Sequence, residues 1–201
     1  MNMIEDQTLG RSGIPSCFAT TLCSLVGHRI VGATRYSWWT PEETEQECGV
    51  GGRDIFSLTS GPVTITFDTG VVLGIASDPS TNSVSVWIEK NEAGQLLREE
   101  PLESDDELHP VSASDQRFAD DFWRLVIGSK VGSISVLVRN PTTARLAELP
   151  NEVGLCFSLD SGVKLVASHG LHDGSDDFSI ISDQRIQASL RAELQELSLG
   201  V

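Results

Sequence analysis

The segment "SHGLHDGSDDF" gathers His169, His172, Asp173, Asp176 and Asp177 within nine residues. Imidazoles and carboxylates at such density are the donors that zinc or a hard divalent cation uses. The spacing argues against a metal, since an EF-hand loop needs acids at alternate positions with glycine at the sixth, and HExxH is absent. Aligning Phe178 and Ile180 with Val84 and Val86 brings "SDPSTNS" into register with this turn, and that stretch has no histidine. A solvated acidic turn is therefore expected, with no metal and with Asp173, Asp176 and Asp177 offered to a partner.

Other reactive types give less. "CGVGGRD", from Cys48 to Asp54, is glycine-rich, yet it lacks the lysine and hydroxyl of a P-loop and the third glycine of a dinucleotide fingerprint. Four glutamates between Glu42 and Glu47 precede it and would repel phosphate. It reads as a flexible loop. No GxSxG elbow is present, and His28 reads as a helix-end residue rather than a base. Cys17, Cys23, Cys48 and Cys156 form no CxxC pair, so buried, reduced thiols are expected. No catalytic residue and no cofactor follow from these patterns.

What remains is suited to contact. "EEPLESDDE" carries Glu99, Glu100, Glu103, Asp105, Asp106 and Glu107 with no cation among them. Glu42 and Glu43 add acids beside the adjacent Trp38 and Trp39, one of which must face outward from a regular strand. Acids steer a basic protein toward them, and an exposed tryptophan would anchor it, with packing in the core or between the halves the equal alternative for the pair.

The elements that position these groups are written twice. "TFDTGVVLGIAS" and "SLDSGVKLVAS" each place an Asp-x-Gly turn between alternating apolar runs, which is the pattern of antiparallel strands joined by a hairpin. Phe18, Leu22, Leu25 and Val26 have the same helical spacing as Phe118, Phe122, Leu125 and Val126, an offset of 100. Gly27 and Gly128 then close the two helices, each followed by a cation and a strand. The sequence thus predicts an α+β fold with internal duplication, each half one helix plus about five mostly antiparallel strands. In the first half those strands fall near 30–39, 54–60, 62–68, 70–76 and 83–89; in the second, near 130–138, 143–148, 153–159, 162–168 and 177–181. Residues 1–90 form the first repeat, 91–114 an exposed acidic connector, 115–182 the second repeat and 183–201 a C-terminal helix with Ile186, Leu190, Leu194 and Leu197 along one side.

Charge narrows the class of partner. With 29 acids against 14 bases, the net charge is -15, which repels nucleic acid and anionic membrane and attracts basic proteins. The N-terminal "MNMIEDQTLGRSG" lacks the basic and apolar regions of a signal peptide, and no apolar run reaches bilayer length, so a soluble, cytoplasmic protein is expected. Short strands around "F-x-L-D-x-G-x-x-L", followed by "LHDGSDDFSI" in a small acidic chain, resemble bacterial immunity proteins, the neutralising partners of secreted toxins. The resemblance covers the strand-turn-strand pieces of residues 63–86 and 153–181 and carries over no site residue. It implies a stoichiometric inhibitor that occludes a basic toxin, of which a nuclease with a basic substrate groove is one form. The alternative is a small-molecule-binding protein or enzyme with its site between the two halves.

Overall fold

A computed structural model describes residues 11–199. The first ten residues, on which much of the signal-peptide reading rests, lie outside the described residues, as do Gly200 and Val201. In the first half, β1 (Ile30–Ser37), β2 (Val63–Phe67), β3 (Val72–Asp78), β4 (Ser83–Lys90) and β5 (His109–Ser112) form one sheet in the order β4-β3-β2-β1-β5. In the second, β6 (Val131–Arg139), β7 (Gly154–Leu159), β8 (Lys164–His169), β9 (Phe178–Ser182) and β10 (Leu194–Ser198) form another in the order β10-β6-β7-β8-β9. Neighbouring strands are antiparallel throughout. Read from the fourth strand of each half, the two orders coincide, so the fold is a duplicated α+β arrangement.

Helical pieces are short: α1 (Ala19–Ser24), α2 (Pro41–Cys48), α3 (Ile55–Leu58), α4 (Trp123–Val126) and α5 (Ala188–Arg191). Several sequence expectations are corrected here. The stretch 54–60, expected as a strand, forms a 3-10 turn and α3, while 143–148 contains only a 3-10 turn at Leu146–Glu148. The fifth strands are instead β5, which lies inside the expected connector, and β10, which takes residues 194–198 of the expected C-terminal helix. That helix is the single turn α5, whose Leu190 is buried. The acidic stretch between Trp39 and the glycine-rich loop holds α2, with a capping box between Thr40 and Glu43, Pro41 in the first turn and Gly49 at φ 67° closing the end.

The duplication is written in hydrogen bonds. Gly27 N–H donates to Val131 O at 2.8 Å and Gly128 N–H to Ile30 O at 2.7 Å, while Ile30 N–H reaches Ser129 O and Val131 N–H reaches His28 O. Each pair of bonds interconverts under a shift of 101 residues, and the Arg29–Lys130 bridge sits at the centre. The buried helical residues obey the same shift, Leu22 matching Trp123 and Leu25 matching Val126; the offset of 100 is therefore corrected by one residue, which leaves Leu125 exposed. Both Asp-x-Gly turns are alike, with Gly70 at φ 89° and Gly162 at φ 83°. Positive φ is what a three-residue hairpin loop demands at that position. Both first strands carry a bulge at the same place, between Ile30 and Gly32 and between Val131 and Ser133.

The inner faces of the sheets share one core, where Ile65, Phe67, Leu73, Ile75, Val84 and Val86 meet Leu155, Phe157, Leu165, Ala167, Phe178 and Ile180. This is the period-two alternation of both repeats turned inward. Of the four cysteines, Cys156 is buried, Cys23 and Cys48 are half-buried and Cys17 is exposed, which corrects the expectation that all are buried. Burial pushes the Cys156 thiol up to about 11. No helix among the described residues is long and apolar enough to cross a membrane.

Candidate functional site

The outer faces of the two sheets differ, and the site lies on the first. Across that sheet the register runs Ser112, Thr34, Thr64, Gly74, Trp87. Strand alternation around Val84, Val86 and Ile88 turns Trp87 outward, and the absence of a side chain at Gly74 lets the indole lie flat on β3. A Cβ at position 74 would stand 2.1 Å from the ring. The indole Nε1–H donates to Glu89 Oε2 at 2.5 Å, and the Arg98 guanidinium stacks 4.8 Å above the ring.

Residues 91–108 rise from β4 as an arm over this floor. Asn91 closes its first turn with Gln95, Leu97 N–H donates to Glu89 O, and Leu102 N–H donates to the second oxygen of Glu89 at 2.8 Å. Lys90 pairs with Glu103 at 2.8 Å. The arm then returns through buried Leu108 into β5. The expected connector is thus a fastened part of the first half. Between arm and sheet lies a cavity of 890 Å³ lined by Trp38, Ala76, Ser77, Asp78, Ser85, Trp87 and Arg98 and by Glu99, Glu100, Asp105, Asp106 and Glu107.

This cavity adjoins two others. One of 270 Å³ shares Trp38, Pro62, Ala76 and Ser77 with it and adds Asp176, Asp177 and Phe178 from the second half. The next, of 560 Å³, is lined by Trp39, Glu47, Cys48, His172, Asp173 and Asp177. Together they make an acidic trough that crosses from the first half to the second. Its shared wall, residues 60–62, is held by Arg35, a fully buried guanidinium that donates to the carbonyls of Phe56, Ser57 and Gly61 and lies 4.9 Å over the Phe178 ring. Burial without a carboxylate partner among these contacts lowers the Arg35 pKa to about 9.

Trp38 is 51% exposed and Trp39 39% exposed, so both face the trough side rather than one facing the core. Around the trough, burial pushes the Asp78 carboxyl up, but hydrogen bonds from Ser80 and Thr81 outweigh it and hold the group below its ordinary range. Hydrogen bonds from Ser175 do the same for Asp173. Such groups keep their charge near neutral pH. Among the described residues no three His, Cys, Asp or Glu side chains converge as metal ligands. The trough's chemistry is attraction of cations, with two indoles to cover them.

Of the residues singled out from sequence, Glu99, Glu100, Asp105, Asp106, Glu107 and Trp38 meet in the 890 Å³ cavity, Asp176 and Asp177 line the 270 Å³ one, and Trp39 and Asp173 the 560 Å³ one. Glu103 is paired with Lys90 rather than lining the cavity. Glu42 and Glu43 stand apart on α2, where Glu43 accepts from Thr40 in the cap. Trp87, Arg98 and Asp78 were missed, although strand alternation was sufficient to turn Trp87 outward. No protein-family model matches this chain, and neither the curated proteins nor the solved structures hold one significantly similar to it.

Proposed function

We propose that this protein is a stoichiometric protein-binding inhibitor of the immunity type, which occludes a basic bacterial toxin by seating a cationic segment of it in the trough. The observation that carries this reading is convergence: acids from the arm, from β3 and from the turn 173–177 line adjoining cavities between two exposed tryptophans. Occlusion needs shape and charge and no reaction, and tryptophan with flanking charge is the composition of an interface anchor. Long-range attraction acts on the rate of encounter more than on the final contact.

Affinity capture from the native host with the intact chain as bait, followed by mass spectrometry, identifies the retained partner. Stopped-flow association of that partner is then measured across a salt series, for the parent and for a variant with Glu99→Gln, Glu100→Gln, Asp105→Asn, Asp106→Asn and Glu107→Gln. Association should slow several-fold and lose its salt dependence while dissociation changes little. A parent association rate independent of salt overturns the steering role of the trough. The second reading, a small-molecule site between the halves, draws on the volume of the first cavity and on a polar contact that bridges the halves at its edge.

A further inference from the structure

We propose that Ser77 is an activated nucleophile, with His169 as its base, placed to accept the acyl group of a cationic carboxylic ester entering the trough. The Ser77 hydroxyl lies 2.5 Å from His169 Nδ1, and the other ring nitrogen, Nε2, lies 3.9 Å from Asp176 Oδ1. A neutral imidazole with its proton on Nε2 presents Nδ1 as an acceptor toward the hydroxyl, which is the arrangement a serine nucleophile requires. Ser77 lines both the 890 Å³ and the 270 Å³ cavities, so the hydroxyl borders space for a substrate. The His169 side chain is 3% exposed and is held behind it.

The duplication sharpens the case. Val71 and Val163 occupy the same place after the two turns, 163 − 71 = 92, and 169 − 77 = 92 as well, so Ser77 and His169 are equivalent positions facing one another across the pseudo-twofold relation. The two halves have diverged there into a hydroxyl and an imidazole, a nucleophile and a base. Asp176 and Asp78 favour the charged ring, whereas burial and Arg139 disfavour it, with burial the largest influence. The base is therefore free to take a proton at neutral pH. Asp78, Asp176 and the exposed face of Trp38 surround the opening, which fits a substrate carrying positive charge.

The step is ordinary acyl transfer. Ser77 Oγ forms a bond to the carbonyl carbon as its proton passes to Nδ1; the carbon–oxygen bond of the ester breaks, and the alcohol leaves with that proton. Water then attacks the acylated serine, giving a proton to His169 Nδ1, and as the Oγ–carbon bond breaks Nδ1 returns that proton to Oγ, releasing the carboxylic acid and restoring the hydroxyl and the neutral ring.

A fluorophosphonate with a neutral alkyl tail tests the nucleophile on the full chain, because Oγ forms a bond to phosphorus as fluoride leaves, and the adduct is located by peptide mass spectrometry. Expected is a single adduct at Ser77, absent in Ser77→Ala and formed at least ~100-fold more slowly in His169→Gln. In the parent, the labelling rate should fall as pH drops through the folded value of His169, which burial holds below the ordinary 6.5. No adduct at Ser77, or equal labelling of a folded His169→Gln protein, overturns the proposal; should that variant not fold, a parent rate that stays level from pH 8 to 5 overturns it. Acetylcholine should protect Ser77 from labelling at lower concentration than its uncharged carbon analogue, 3,3-dimethylbutyl acetate, and equal protection overturns the cationic substrate class. Since no protein partner enters this experiment, its failure leaves the inhibitor reading to be judged by its own salt series.

Discussion

The two halves share their topology and turn their outer faces to opposite uses. In the first sheet the cross-strand row is Thr64, Gly74 and Trp87; at the same places in the second it is Cys156, Val166 and Ile181. The second row is apolar and is sealed by Ile186, Leu190 and Leu171, leaving a cleft of 190 Å³. The first row is roofed by the charged arm, which stands off the sheet and encloses 890 Å³. One scaffold thus holds a packed face and an open one, and the choice turns on two or three outward side chains. Burial of branched aliphatics draws the chain down onto the sheet, while glycine beneath a flat indole leaves room above it.

The largest expected effect comes from converting one face toward the other. Gly74→Val drives a side chain into the Trp87 ring and should cost about 3 kcal/mol in urea denaturation. Adding Trp87→Ile rebuilds the row of the second half, and the two changes should couple favourably by about 2 kcal/mol. Simple additivity of the two breaks the equivalence drawn between the faces. Next, Leu190→Ala uncovers the second sheet and should cost about 2–3 kcal/mol while leaving Trp38 and Trp87 emission as in the parent. Arg98→Ala removes the cation above Trp87 and should change stability by less than about 1 kcal/mol, since the stack is worth little where water reaches it. A loss as large as that of Leu190→Ala would mean that the arm is packed as firmly as the C-terminal cover.

The smallest effect is a pH slope at the contact between the halves. Burial lowers the pKa of His169 from its ordinary 6.5, so the unfolded chain takes up the proton first as pH falls. The contribution of neutral His169 is complete above pH 6.5 and is lost as pH falls through its lower folded value. His169→Gln should flatten that part of the stability profile, measured by denaturant midpoints from pH 7.5 to 5. An unchanged slope assigns the acid sensitivity to other groups.

The local chemistry of the turns and strands was legible because it is local. Asp68–Gly70 and Asp160–Gly162 signal their hairpins by backbone requirement, and the runs ending at Phe67 and Leu159 show their inward faces by alternation. The box of Thr40, Pro41, Glu43 and Gly49 carries the local signals of a helix, yet the glycines and acids of the stretch outweigh them in the sequence reading, which expects a loop. By contrast, Leu194 and Leu197 sit at helical spacing yet lie in β10, because the unpaired edge of β6 offers a complete hydrogen-bond ladder that outweighs propensity. The acidic run was visible as charge, but its partner Lys90 and its anchor Glu89 lie on the preceding strand, and only the folded chain reveals that they bind it. The Ser77–His169 contact spans 92 residues and has no local signature.

Glu89 accepts from the Trp87 indole through one oxygen and from the Leu102 backbone through the other, tying the arm to the floor by a single carboxylate. The chain has four tryptophans; Trp38, Trp39 and Trp87 line the trough, and Trp123 lies in the core against Ser57. Intrinsic emission of this protein is therefore weighted toward that surface. A guest that lifts the arm changes the hydrogen bond at one emitting ring, and a guest that covers Trp38 or Trp39 dries another. The molecule carries its own optical gauge of occupancy, readable without a label.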